Sequence, residues 1–384
     1  MNGTHKFVYL DNNATTQVAQ QCVEAMCSSM LDSYGNPSSK HGSGAAAKRL
    51  LGDARAQIAD LLHVTPPEIV FTSCGTESNH MAIHGALALS PLKRHVVTST
   101  VEHPSTLLLL KHLEEQGVRV TYVPVDGHGQ LDLACLERAV DGNTALVTLM
   151  WANNETGVLF PVEQAAAIAR RHGALFHTDA VQAAGKIPLD LARVPADLLS
   201  LSGHKLHGPK GVGALFVRKG IKLPPLFFGH QERGRRGGTE NVPAIVGLGV
   251  ACILALDGMN DELTRVKALR DRLEAAILAQ IPFALVNGAG AERVPNTTNI
   301  CFAGVDSEML LDRLDKADIF ASSGAACTAG GSEPSHVLTA MGLERAAAMA
   351  SIRFSLSRYT AGSMIDRVLE VLLAVVQEKY AEAA

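Results

Sequence analysis

Ser200-Leu201-Ser202-Gly203-His204-Lys205-Leu206-His207-Gly208-Pro209-Lys210-Gly211 places one lysine in a glycine-flanked turn directly after an apolar, strand-like run, Ala196 to Leu201. An ordinary solvated lysine lies on a polar helix face or in an open loop. Lys205 is instead pinned between a strand end and a Gly-Pro-Lys-Gly turn, with Ser202 and His204 just before it. Partial desolvation at such a place lowers an amine's pKa and makes it nucleophilic, so Lys205 is a candidate covalent catalyst. Taken alone, the stretch reads more readily as a surface turn with an idle lysine. Its neighbours decide the matter.

Upstream, Gly173-Ala174-Leu175-Phe176-His177-Thr178-Asp179-Ala180-Val181-Gln182 is a second apolar run, ending at an acid. In a mostly parallel sheet Asp179 and Lys205 emerge at the same edge, where ligands collect. A lysine that forms a Schiff base, beside a carboxylate that keeps a pyridine nitrogen protonated, is the pair that pyridoxal 5'-phosphate (PLP) requires. The alternative for Asp179 is an N-cap before a helix Ala180 to Ala184. A third run, Glu68-Ile69-Val70-Phe71-Thr72-Ser73-Cys74-Gly75-Thr76-Glu77-Ser78-Asn79, turns through glycine into a helical segment. Free N–H groups at that helix start, Gly75 for close approach and the Thr76 hydroxyl suit a phosphate. A threonine capping box with Asn79 in the usual Glu or Gln position is compatible with the same role.

Composition bounds the chemistry. The chain has 384 residues, 47% apolar and 19% charged, enough for a large core and a smaller companion domain in a globular enzyme. A net charge of −4 gives no footprint for nucleic acid, although Arg233-Gly234-Arg235-Arg236 could serve a phosphate or carboxylate. Met1 to Leu10 lacks the apolar region of a signal peptide and no run approaches a membrane span, so a cytoplasmic protein is expected.

Seven cysteines without a Cys-x-x-Cys pair predict free thiols. Cys22, Cys252 and Cys301 fall in helical or strand-like apolar patterns, where core packing is the default. Cys327 lies among small residues, Ala321-Ser322-Ser323-Gly324-Ala325-Ala326-Cys327-Thr328-Ala329-Gly330-Gly331-Ser332-Glu333-Pro334, with no large apolar side chain to anchor it. An accessible thiol there is either a reactive nucleophile or a spare cysteine in a loop.

Apolar runs predict helices at Gln17–Leu31 and Ala45–Leu62, and strands at Ile69–Thr72, Val96–Ser99, Val118–Val123, Leu146–Met150, Leu175–His177, Leu198–Leu201 and Gly213–Val217. Helices lie between most of these strands, which predicts an α/β fold with a mostly parallel central sheet. Beyond a helix Ala244–Leu256 and the junction Gly258-Met259-Asn260-Asp261 comes a long helix, Glu262–Gln280. Strands are then expected near Thr298–Phe302, Ile319–Ser322 and Ile352–Leu356, as in a smaller α+β domain. The expected division is residues 15–259 for a large PLP-binding domain, with 1–14 and 260–384 forming the small domain that carries the Cys327 loop (about 322–334).

Long motifs in order extend the pattern: Tyr9-Leu10-Asp11-Asn12-Asn13-Ala14-Thr15-Thr16, Gly35-Asn36-Pro37-Ser38-Ser39, Glu102-His103-Pro104, Trp151-Ala152-Asn153-Asn154-Glu155-Thr156-Gly157, His230 through Asn241, and Ser351-Ile352-Arg353-Phe354-Ser355. Together with the Lys205, Asp179, Gly75 and Cys327 segments, they make the chain resemble the NifS-type PLP-dependent cysteine desulfurases nearly end to end. The resemblance implies PLP fold type I, a homodimer, and conversion of L-cysteine to L-alanine with a persulfide on Cys327. Lys205 would hold the cofactor and shuttle protons, and Asp179 would meet the ring nitrogen. Gln182 and Asn154 would contact the ring hydroxyl and the substrate side. His103 would stack on the ring and take part in acid–base steps. Gly75, Thr76, Ser202 and His204 would bind phosphate, joined by Thr239 from the partner subunit. Arg353 would clamp the substrate carboxylate, a task suited to a guanidinium fork.

No catalytic metal is implied, although Cys327 could touch a nascent iron–sulfur cluster. An iron–sulfur scaffold protein is the implied sulfur acceptor, and the Trp151 and His230 stretches resemble the nitrogen-fixation form more than the housekeeping or tRNA-thiolation forms. A PLP aminotransferase or a selenocysteine lyase would share Lys205, Asp179 and the phosphate site, but an aminotransferase has no use for the Cys327 thiol. A non-catalytic sulfur-assembly scaffold would not need Lys205.

Overall fold

Strands β2 (Ile69–Thr72), β3 (His95–Ser99), β4 (Arg119–Val123), β5 (Thr144–Met150), β6 (Leu175–Asp179), β7 (Leu198–Ser202) and β8 (Gly213–Val217) form one seven-stranded sheet in the order β2-β8-β7-β6-β5-β3-β4. The computed structural model describes residues 7–323 and 333–383. β8 runs antiparallel to both its neighbours, and the other pairings are parallel. The reason is the connection. Only Gly203 to Val212 separate β7 from β8, too few residues for the helical crossover that parallel neighbours need. Strands β2, β3, β5, β7 and β8 are buried along their whole length, which is why they read as unbroken apolar runs rather than alternating ones.

Helices Gly42–Leu62 and Val242–Asp257 pack together against this core. Gly249 makes that contact close, since a Cβ there would lie 2.8 Å from Ala54 Cα.

A second core gathers Val8, Leu10, Leu273, Phe302, Phe354 and Leu372. It is built on the antiparallel strands β9 (Ala284–Asn287), β10 (Thr297–Phe302) and β12 (Ser351–Ser355), with helices Lys267–Gln280 and Gly362–Ala383. The start of the chain belongs here too: β1 (Val8–Tyr9) pairs in parallel with β11 (Ile319–Phe320). Among the described residues no single helix is long and apolar enough to cross a membrane.

Three predicted elements, and the helix of the alternative reading of Asp179, are corrected. The first helix begins at Gln20 rather than Gln17, because Thr16 and Ala19 donate their N–H groups to the carbonyls of His204 and His207 in the lysine turn. Residues 180–184 form turns rather than a helix; Asp179 caps the first of them, and Gly185 at φ 70° breaks any helical continuation. The strand expected at Ile319–Ser322 stops at Phe320, with Ser322 making an isolated bridge to Arg353. The long helix opens with a π-turn over Glu262–Val266. Strands β1 and β9 were not predicted; one has two residues, and the other leaves Leu285 exposed.

Candidate active site

In every parallel strand the chain leaves the sheet at the same edge, and the loops there converge. β2 leads into the helix Gly75–Leu89, β3 into His103, β5 into Asn154, while β6 ends on Asp179 and β7 is followed by Lys205. A cleft of about 340 Å³ is lined by Gly75, Thr76, His103, Asn154, Asp179, Gln182, Ser202, His204, Lys205 and Arg353. Ten residues named from sequence thus meet in one place. Thr239 does not join them: it lines a separate hollow of its own chain with Phe71, Arg236 and Asn241. Cys327 lies outside the described residues.

The lysine amine is held by the N-terminal segment. Lys205 Nζ donates to the carbonyls of Asn13 at 2.5 Å and Ala14 at 2.7 Å. Asp179 is 8% exposed; its Oδ1 accepts from Val181 N–H at 3.0 Å and its Oδ2 from Asn79 Nδ2 at 2.7 Å. The capping role and the cleft position therefore coexist.

The candidate phosphate cradle is tight. A Cβ on Gly75 would lie 3.0 Å from Val181 Cγ2 and 3.5 Å from Ser202 Cβ. Glu77 on the first turn turns away from the cleft, accepting from Ser73 N–H and pairing with Arg236. Burial, reinforced by the positive charge of Lys205, holds the His204 pKa down at about 4, so the ring is neutral near pH 7.

His103 caps the helix Pro104–Glu115, and Ser105 N–H donates to its Nδ1 at 3.1 Å. That contact places the proton of the neutral ring on Nε2. Burial lowers the His103 pKa and Lys205 and His336 add to the effect, against the pull of Asp179. Arg353 on β12 donates from Nη2 to Asp11 Oδ1 at 2.5 Å and from Nη1 to the Asn154 carbonyl at 3.0 Å. Among the described residues its buried Nε has no hydrogen-bond partner, and neither do Ser202 Oγ and Asn79 Oδ1. Buried polar groups are normally paired. Unpaired atoms on residues lining one cleft are what a bound polar group would satisfy.

Sequence reasoning passed over three residues. Asn79 was weighed only as a cap, yet it orients Asp179 and also donates to Ser105 Oγ at 3.0 Å. Asn13 is a junction: its carbonyl accepts from Lys205 and Gln182, and its side chain donates to the Asn154 carbonyl and Thr297 Oγ1. Lys186 lies behind it, buried. Nothing in a one-dimensional pattern marks these. Only their presence within motifs already quoted, or the oddity of a lysine after the apolar Ala183-Ala184, hinted at them.

Glu102, next to His103, is 1% exposed. Burial pushes its pKa up to about 8, although Ser99 Oγ–H and Met150 N–H both donate to Oε1. An unfolded glutamate titrates near about 4.3. The native state therefore holds the proton more tightly, and this group's stability contribution, complete below the unfolded pKa, is lost as pH rises through about 8. Glu102→Gln keeps the Oε1 acceptor without the titration. Its urea midpoint is expected to gain on wild type on going from about pH 5 to about pH 8; a pH-independent difference would show that Glu102 is charged in the native state.

The Aminotransferase class-V family profile matches residues 8–368, and the chain belongs to that family. Its fold is accordingly PLP fold type I and its cofactor pyridoxal 5'-phosphate, for which the cleft's lysine, acid and unpaired donors fit. The chain is 54% identical over 371 residues to a cysteine desulfurase of Trichormus azollae, covering 96% of this chain and 93% of that one. It is 50% identical over 373 residues to the cysteine desulfurase NifS of Azotobacter vinelandii, covering 97% and 93%. A solved structure described as a NifS-like protein superposes with a TM-score of 0.91 at 37% identity, over 97% of this chain and 99% of the other.

Proposed function

We propose that this chain supplies sulfur for iron–sulfur cluster assembly in the cytoplasm, with nitrogenase maturation as its use, and that Cys327 carries the sulfur as a persulfide. The enzyme class is PLP-dependent cysteine desulfurase, the activity named for relatives at 50% and 54% identity over nearly the whole chain. L-Cysteine is the substrate. The observation that carries the reading is the meeting of Lys205, Asp179 and Arg353 on one cleft, because a Schiff-base amine, a ring acid and a carboxylate clamp are the minimum for amino-acid chemistry on this cofactor.

When bound, the cofactor supplies an electron sink for the substrate's Cα. The chain's residues do the rest. Lys205 Nζ would hold the cofactor through its aldehyde and would move the substrate's Cα proton. Asp179, fixed by Asn79 and Val181, takes the ring nitrogen's N–H. Gly75, Thr76, Ser202 and His204 would hold the phosphate, and Gln182 and Asn154 would meet the ring hydroxyl and the substrate side. Arg353 would offer its Nε to the substrate carboxylate, and His103, which lines the same cleft, would serve as an acid–base group. In the sulfur step the Cys327 thiolate forms a bond to the substrate sulfur as the Cβ–S bond breaks. The bonding pair stays on the carbon fragment, which gains a proton and leaves as alanine.

This reading takes residues 15–259 as the cofactor-binding domain, with 1–14 and 260–384 as the small one. It also takes a homodimer as the working unit, with Thr239 completing the partner's phosphate site. Mixing Thr239→Ala subunits with Lys205→Ala subunits is then expected to restore activity, since the site with an intact lysine faces an intact threonine; no recovery counts against the shared site. The acceptor is an iron–sulfur scaffold protein. In a nitrogen-fixing host lacking its own enzyme of this type, the gene is expected to restore growth on dinitrogen. Rescue confined to general iron–sulfur enzymes would assign the housekeeping role instead.

A further inference from the structure

Behind the cleft, one lysine has no place in the reaction described above. Lys186 is 6% exposed, and its Nζ donates to Gln182 Oε1 at 2.6 Å and Asn13 Oδ1 at 3.2 Å. Both acceptors are amide oxygens rather than carboxylates. Burial, with Lys205 as a further positive neighbour, brings its pKa down to about 7, while Glu262 pulls the other way. Burying an amine is costly, and at this position it secures a specific arrangement of its neighbour. Gln182 Nε2 donates to the Asn13 carbonyl at 2.9 Å. Because Lys186 Nζ donates to Gln182 Oε1, Gln182 turns its oxygen toward Lys186 and its nitrogen away. That nitrogen has two hydrogens. One goes to Asn13, and the second is left for the cleft that Gln182 lines.

We propose that Lys186 is a positioning residue for the cofactor: by holding Gln182 Oε1 it keeps a Gln182 N–H turned toward the ring hydroxyl of PLP, whose deprotonated form that donor stabilises. The inference rests on the cofactor-binding reading given above. A donor to the ring oxygen competes with the proton shared between that oxygen and the lysine–cofactor linkage, so it makes the linkage more acidic. Without Lys186, Oε1 loses its donor in a buried site, and a flipped amide would present oxygen to oxygen.

The test is a spectrophotometric pH titration of the visible band of the holoprotein without substrate. Lys186→Met is expected to raise the midpoint by about one pH unit, a tenfold change in proton affinity, as expected for loss of one hydrogen bond to a charged oxygen. Loss of the lysine's charge alone would shift the midpoint in the same direction, so two comparisons separate the causes. Lys186→Gln keeps a donor for Oε1 without the charge, and should retain the wild-type midpoint. In a Gln182→Met background, Lys186→Met should produce no further shift. An unchanged midpoint in Lys186→Met, or an equal shift with and without Gln182, overturns the proposal. Should Lys186→Met not fold, Lys186→Leu provides the same comparison, because it too removes the donor. A wild-type protein that takes up no PLP chromophore would sink the cofactor-binding reading itself, a result distinct from any of these.

Discussion

Lys205→Ala is expected to yield a folded protein without the visible band of lysine-bound cofactor and with alanine production from L-cysteine reduced by at least about 10³-fold. The amine has two tasks that no neighbour can assume, holding the aldehyde and moving the Cα proton. His103 is close to the site, but its Nδ1 is occupied by Ser105 N–H, and a histidine cannot replace a primary amine in a Schiff base. The fold should survive. The Asn13 carbonyl keeps the Gln182 N–H when Lys205 is removed, so thermal denaturation should move little. A Lys205→Ala protein that turns over with a bound chromophore would sink the assignment of this lysine.

The second large effect separates a desulfurase from other enzymes built on the same cleft. Cys327→Ala should still bind cofactor and L-cysteine, because every described residue lining the cleft is intact, yet sulfur release should fall by a factor on the order of 10³. Wild-type protein incubated with L-cysteine should carry one extra sulfur on the Cys327 peptide, removable by a thiol reductant and readable by mass spectrometry. The described thiols narrow the alternatives. Cys22, Cys252 and Cys301 are buried, and burial raises each of their pKa values, that of Cys22 to about 11; a protonated, enclosed thiol is a poor nucleophile. Cys27 and Cys135 do not line the cleft, which leaves Cys74 as the rival. Alanine production at the wild-type rate in Cys327→Ala, or an extra sulfur mapping to Cys74, would overturn the proposed acceptor.

Most of the sheet was legible because five of its strands are buried along their whole length, so they appear as short apolar runs. The same property marked the site: the residue that ends or follows such a run is at the carboxyl edge, and Asp179 and Lys205 are both there. Arg353 was legible only through family resemblance, since an arginine in a strand pattern gives no hint that Asp11, 342 positions away, holds it. Lys186, Asn13 and Asn79 acquire meaning only from partners that the fold supplies. The false helix over Ala180–Ala184 has a local cause: alanines favour helix, but the Asp179 turn and Gly185 at positive φ prevail. The late start of the first helix has a distant one, the pairing of Thr16 and Ala19 with the lysine turn.

The junction at Asn13 bears on the order in which the protein can become active. Asn13 is synthesised well before its partners, which lie 283 to 342 positions further along: its N–H donates to Ser355 Oγ and its amide side chain contacts Asn296 and Thr297. A nascent chain of some 300 residues already contains the lysine, the acid and the phosphate cradle, but the strap carrying the carbonyls of Asn13 and Ala14 has not yet met β12. Arg353 is absent as well. The cleft therefore acquires its final shape only when β12 closes on the segment around Asn13, which places completion of the cofactor site after synthesis of β12 and ties it to the arrival of Arg353.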